Sequence, residues 1–203
     1  MSNKVLAKTN SNSDFKLVDK LLAHEKGWQH YAFSIFIFNS KNELLLQKRA
    51  AHKYHSPNLW TNTCCSHPLS ADLNKIKSFA KNRLQEEMGF TTGLDFLFQF
   101  EYNVKCDNNL IENEIDFVFI GRYNENPIIN KDEVCEYKWI SISDLMQEIS
   151  TSGQHYTEWL KIILKNHTKH FNTKNTKMAL ASAPNTYHTA LGLSSNQSGG
   201  ISL

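Results

Sequence analysis

No stretch of this 203-residue chain approaches the roughly eighteen consecutive apolar residues that a membrane-spanning helix needs. The opening, Met1 to Asn10, has none of the apolar core of a secretory signal. Cysteine is scarce. The four, at positions 64, 65, 106 and 135, make no disulfide framework, and the adjacent Cys64 and Cys65 are a pair that rarely bonds to itself. Reduced thiols and a cytoplasmic location are therefore expected. A dominant charge is missing too: 22 basic against 20 acidic residues leave +2. That is too little to argue for nucleic acid or a membrane surface as a partner. Lys174 and Lys177 lie in a C-terminal stretch without acids and account for the whole excess, so the body is neutral and any positive field in it is local. No internal repeat is evident. What is present is a 40% apolar content, enough for the core of one domain of ordinary size, expected to be a monomer.

The pattern along the chain predicts a mixed sheet with helices. Tyr31 to Phe38 is β-branched and aromatic, and with the polar turn Asn39 to Asn42 and the run Glu43 to Gln47 it reads as a hairpin. Ala50 to Thr61, with Pro57 and several histidines, reads as loop. Leu73, Ile76, Ala80, Leu84 and Met88 make a helical stripe that Asp72 can cap and Gly89 can stop. Leu94 to Lys105 and Leu110 to Arg122 read as strands across a turn, and Val134 to Ile140 as another strand. A short helix is expected from Ser143 to Ile149 and an amphipathic one from Tyr156 to His170. The start of the chain is ambiguous, because Thr9 to Ser13 is a polar, insert-like stretch before Lys20. From Phe171 onward the composition turns to Asn, Ser, Thr, Gly and Ala. Such a stretch cannot bury enough surface to offset its ordering entropy. Residues 1–170 are thus expected to form a single domain of α/β (α+β) class, with 171–203 a flexible polar tail.

Two short segments carry the chemistry. Asn62 to Leu69 sets two thiols, a hydroxyl and an imidazole in one proline-stopped turn, and Cys65 and His67, two apart, face one side if the chain is extended. Alone, this reads equally well as a loop with a buried thiol pair and a surface histidine. In the second segment Glu112 and Glu114 share one face of an apolar strand, Ile111 to Phe119. A sheet edge in solvent would explain two such acids. On an interior strand they repel each other unless a cation lies between them. Three imidazoles with two carboxylates would suit a divalent transition metal.

The run His24-x5-His30-x-Ala32-Phe33-Ser34, then Arg49-x3-Lys53, then Trp60 through Pro68, Glu87-x-Gly89 and Glu112-Asn113-Glu114 resembles the type I isopentenyl-diphosphate isomerases. Order and spacing hold from about Lys20 to Trp159. The resemblance implies a Nudix-type α/β/α sandwich with a mixed sheet covered by helices. It does not imply diphosphate hydrolysis. Aligned on Glu86 to Phe90, the hydrolase box G-x5-E-x7-R-E-U-x-E-E-x-G-U (U aliphatic) has Pro68 for its first glycine, Asn74 for its early glutamate and Asn82-Arg83 for its Arg-Glu pair.

The same resemblance implies roles. His24, His30, His67, Glu112 and Glu114 would hold one transition-metal dication, Mn²⁺ or Zn²⁺. Glu87 would hold Mg²⁺ bridging to a diphosphate, in the oxygen ligation that ion prefers. Cys65 and Glu114 would be the acid–base pair, Tyr102 would donate to Glu114, and Trp159 would face a cationic centre. Lys20, Arg49, Lys53, Ser66 and Arg83 would bind the diphosphate of a small homoallylic or allylic substrate. Each has a bland counterpart: Cys65 a small buried hydrophobe, Trp159 a core residue, Arg83 and Glu87 an exposed i,i+4 ion pair. Asp116, His52 and His55 have no role in the resemblance. The rival readings are a Nudix-type diphosphate hydrolase and a non-catalytic module whose Cys and His hold zinc.

Overall fold

The ambiguous start of the chain resolves in the computed structural model, which describes residues 3–9 and 14–171, into two strands and a helix. Strands β1 (Lys4–Lys8) and β2 (Phe15–Asp19) pair antiparallel, and the polar stretch between them lies largely outside the described residues. Asp19 then accepts from the Leu22 amide at 3.0 Å and caps α1 (Lys20–Lys26), which Gly27 ends in the left-handed region.

Next come β3 (Gln29–Phe38), β4 (Glu43–Arg49), β5 (Trp60–Thr61), β6 (Cys64–Ser66), α2 (Leu73–Met88), β7 (Leu94–Lys105), β8 (Ile111–Arg122) and β9 (Val134–Ser141). The last elements among the described residues are α3 (Ile142–Ser152), α4 (Glu158–His167) and a 3₁₀ turn over Thr168–Phe171. The expected hairpin turn exists, with the Asn42 amide donating to the Asn39 carbonyl at 3.0 Å, but β3 and β4 pair only at Phe38 and Leu44. Beyond that point the strands diverge. β3 runs parallel to β8 from His30 beside Glu114 to Phe38 beside Arg122. Its other edge is shared in turn by β1, β6 and β4, while β4 pairs along its length with β9. A strand held on both edges and both faces explains the nearly unbroken apolar run of β3.

Period-two alternation sorts the core into two layers. Phe33, Ile35, Ile37, Leu45, Phe117 and Phe119 pack toward α2, against Ile76, Ala80, Leu84 and Met88. Phe36, Phe38, Leu44, Leu46, Val118 and Ile120 pack toward α3 and α4, against Leu145, Leu160, Ile163 and Leu164. The result is the expected helix–sheet–helix sandwich. Local boundaries differ from the sequence reading for identifiable reasons. α3 starts at Ile142 rather than Ser143 because Ser141 accepts from the Asp144 amide at 3.1 Å. α4 is shorter than expected because Tyr156 forms a bridge with Trp60, and its last turn tightens to 3₁₀. Phe171, assigned by composition to the tail, is buried against Phe36, Phe38 and Phe98. The remainder of the expected tail, 172–203, lies outside the described residues.

The cap of α2 agrees with the sequence. Asp72 accepts from the Lys75 amide at 2.9 Å, and Gly89 (φ +76°) donates its N–H to the Gln85 carbonyl. A Cβ on Gly89 would meet the Ile128 carbonyl oxygen at 2.3 Å. Gly89→Ala is therefore expected to cost about 2 kcal/mol or more, left-handed strain and clash combined. Urea unfolding should show a lower midpoint at unchanged slope, and an unaltered midpoint would contradict this account of the cap.

Candidate active site and metal centre

Five ligand-type side chains converge where β3 and β8 begin. His24 comes from α1, His30 from β3, His67 from just past β6, and Glu112 and Glu114 from β8, and their ligand atoms all lie within 4.8 Å of one another. Parallel pairing of His30 with Glu114 sets this register, and period two puts Glu112 and Glu114 on one face. Both are buried. His24 Nε2 lies 3.2 Å from Glu112 Oε2, His30 Nε2 lies 3.5 Å from Glu114 Oε1, and His67 Nε2 lies 3.0 Å from that same oxygen.

The histidines are aimed from behind. His24 Nδ1 sits 2.6 Å from the Lys20 carbonyl and His30 Nδ1 2.8 Å from the Trp28 carbonyl, so each ring is held with Nδ1 donating outward and Nε2 turned toward the cluster. His24 Nε2, His30 Nε2 and Glu112 Oε2 are buried without a hydrogen-bond partner. Three convergent atoms of this kind on ligand-type side chains fit a divalent transition metal. Burial opposes the charged form of His30, but Glu112 and Glu114 outweigh it and raise the imidazole to about 10. Burial instead lowers His67 to about 4, against the pull of Glu114.

Beside this cluster lies a cavity lined by Cys65, Tyr102, Trp159 and Glu114. β6 places the two thiols on opposite faces. Cys65, beside Ser34 of β3, packs on the α4 side, and Cys64 is buried toward α2. Burial pushes the Cys65 thiol up to about 12, with Arg49 pulling the other way. Tyr102 stands directly opposite Glu114 on β7 and donates to its Oε2 at 2.5 Å. Trp159 is fixed by an indole N–H to Asn62 Oδ1 bond of 3.2 Å, with the Arg49 guanidinium 5.3 Å from its ring centre. The start of α4 is itself docked by the Thr157 amide on the Trp60 carbonyl at 3.0 Å.

The basic residues line the same cavity: Lys20, Arg49, Lys53 and Arg83, with Ser66 among them. Burial and the neighbouring Lys53, Arg83 and Arg49 lower the Lys20 ammonium, although Glu133 opposes this. Four cations in one hollow need anions. Lys53 pairs with Glu133, Arg83 Nη2 lies 3.3 Å from Glu133, and Arg83 pairs with Glu87. The Arg83–Glu87 pair is thus largely shielded, with Glu87 buried and Arg83 partly so, rather than the exposed helix pair of the bland reading. Glu87 stands apart from the five-residue cluster and also accepts from Gln47 Nε2 at 2.7 Å.

Sequence reasoning missed Glu133 and Gln47, which bear no motif, and left three histidine and acid positions open. Asp116 is fully buried and accepts from Ser34 Oγ at 2.8 Å, with burial and Glu114 pushing its carboxyl up. His55 is buried with Nε2 3.2 Å from Glu112 Oε1. His52 is an exposed residue of the loop.

The layered sheet and its one-sided site define a Nudix-type protein, and residues 28–160 match the NUDIX domain family. A Deinococcus radiodurans protein (DR0079) shares the fold over 81% of this chain and 99% of its own, with a TM-score of 0.62 at 14% identity. Isopentenyl-diphosphate Delta-isomerase 2 of Photorhabdus laumondii is 50% identical over 141 residues, 70% of this chain and 78% of that protein. Isopentenyl-diphosphate Delta-isomerase 1 of Aromatoleum aromaticum is 42% identical over 161 residues, 79% and 90% respectively. The chain belongs to the isopentenyl-diphosphate Delta-isomerase family within the Nudix superfamily.

Proposed function

We propose that this protein is an isomerase interconverting isopentenyl and dimethylallyl diphosphate by adding a proton to one end of an allylic unit and removing one from the other. The carrying observation is a single cavity that joins a neutral thiol, a tyrosine-held carboxylate and an indole to a set of four cations. Family membership supports the same reading.

Protonation of an unactivated alkene gives a tertiary carbocation, which water would capture, so the reacting carbons must be shielded. Cys65 and Glu114 are the two proton-handling groups, with Cys65 holding its proton at neutral pH. One delivers a proton to the terminal methylene carbon, and the other takes the proton lost from the carbon next to the diphosphate-bearing one, so the hydrogen count is unchanged. Tyr102 holds Glu114 in place. The Trp159 ring stabilises a desolvated cation by about 2 kcal/mol without offering a lone pair to trap it. Lys20, Arg49, Lys53, Ser66 and Arg83 bind the diphosphate, which releases Lys53 and Arg83 from Glu133. His24, His30, His67, Glu112 and Glu114 would hold Mn²⁺ or Zn²⁺, and Glu87 a Mg²⁺ shared with the diphosphate. Such dications neutralise clustered carboxylates and phosphate oxygens when bound.

Among the described residues no helix is long and apolar enough to cross a membrane. The reading extends to a cytoplasmic location, supported by the scarce cysteines, to no engagement of nucleic acid, supported by the near-neutral charge, and to a monomer folded as one domain ahead of a polar tail. The hydrolase alternative keeps only the late acids of its box, Glu86 and Glu87, because Asn74 and Arg83 stand in place of its other two glutamates and Asn82 in place of its arginine. In deuterated water, purified protein given isopentenyl diphosphate is expected to yield dimethylallyl diphosphate carrying deuterium and no inorganic phosphate. Phosphate release without deuterated isomer would favour the hydrolase.

A further inference from the structure

We propose a second metal site, made by His55, Cys106 and Glu112 and suited to a thiophilic dication such as Zn²⁺ or Cd²⁺. Their ligand atoms lie within 4.8 Å of one another, the spread shown by the five-residue cluster. Glu112 joins the two sites. Its Oε2 faces His24 and His30, at 3.2 and 3.7 Å, whereas its Oε1 faces His55 Nε2 at 3.2 Å. A carboxylate turned two ways between imidazoles is arranged to bridge two cations.

The architecture delivers Cys106 to His55 by a specific tie. Cys106 directly follows β7 and enters a tight turn, its amide donating to the Leu110 carbonyl at 2.8 Å. Within the turn Asn108 and Asn109 take left-handed conformations, both at φ 59°. Asn108 Nδ2 then donates to the Tyr54 carbonyl at 3.0 Å, which pins the turn to the loop holding His55. His55 is held in turn: Arg49 Nη2 donates to its carbonyl at 3.2 Å, and Nδ1 lies 3.4 Å from Ser56 Oγ, leaving Nε2 toward Glu112. One imidazole, one thiol and one carboxylate make a three-ligand set that zinc accepts, with a further position open to water. The thiol selects zinc or cadmium over magnesium, and a ligating thiol gives up its proton to solvent. The bland competitor is that His55 only steadies Glu112 through a hydrogen bond and Cys106 is a bystander.

Metal-stripped full-length protein, titrated with Zn²⁺ in equilibrium dialysis, should bind one equivalent more than Cys106→Ala. With Cd²⁺ the wild type should show thiolate-to-cadmium charge-transfer absorption in the ultraviolet. The absorption should be lost in Cys106→Ala, retained in His67→Asn and moved to about tenfold or more higher Cd²⁺ concentration in His55→Ala. Equal zinc stoichiometry in wild type and Cys106→Ala overturns the site, as does a cadmium band that survives the Cys106 change. Neither readout depends on isomerase activity, so this proposal and the functional one can fail separately.

Discussion

Cys65→Ala and Glu114→Gln are each expected to lower kcat by about 10²–10⁴-fold while leaving far-UV circular dichroism nearly unchanged. Both side chains line one cavity, and the two-proton chemistry needs a donor and an acceptor. Cys65 holds its proton because burial lifts the thiol to about 12, so alanine removes a proton carrier rather than a charge. Glu114→Gln keeps volume and an acceptor for the Tyr102 hydroxyl, 2.5 Å from the native oxygen, but cannot exchange a proton. Cys64 is the internal control. It is buried toward α2 on the far face of β6, so Cys64→Ala should alter stability modestly and kcat little. Full activity in Cys65→Ala with none in Cys64→Ala would shift the assignment by one residue.

Stripping divalent ions is expected to abolish turnover and to lower the unfolding midpoint. A dication at 100 times its dissociation constant stabilises the folded state by about 2.7 kcal/mol if it has no affinity for the unfolded chain. Without it, Glu112 and Glu114 rely on the nearby imidazoles alone. His67→Asn should reduce bound Mn²⁺ or Zn²⁺, because its Nε2 is 3.0 Å from Glu114. Glu87→Gln should leave that metal in place and instead raise KM in Mg²⁺, since Glu87 sits with Arg83 and Gln47 outside the cluster. Undiminished turnover in chelator, with no metal found by elemental analysis, would defeat this expectation.

What could be read from the sequence was what is local. The α2 boundaries follow from Asp72 and Gly89, and the β7–β8 hairpin from two apolar runs across a turn. The β3–β4 hairpin was over-read, because the turn is local but the partner of β3 is not. Its main neighbour, β8, is far off in the chain, and only the unbroken apolar character of Tyr31 to Phe38 hints at a strand enclosed on all sides. α1 escaped because Leu21 and Leu22 are exposed and give no stripe. Its signals were Asp19 before it and Gly27 after it. The five candidate ligands were readable as a set only through spacing shared with a family, since no single His or Glu declares itself. His55 was hidden in a loop without period, and what makes it notable is the turn that Asn108 ties beside it.

The parallel seam between β3 and β8 also dictates when the site can come into being. Ser34 and Asp116, hydrogen-bonded across it, are 82 positions apart. Joining such distant segments spends chain entropy before any contact rewards it, and long-range parallel pairing is slow for that reason. His30 and Glu114 meet only when this seam closes. A chain emerging during synthesis therefore carries its histidines and first thiols well before the carboxylates that complete the cluster, and holds no partial active site meanwhile. Recovery of activity after dilution from denaturant should consequently track closure of the sheet in one phase, with no early species that already turns over substrate.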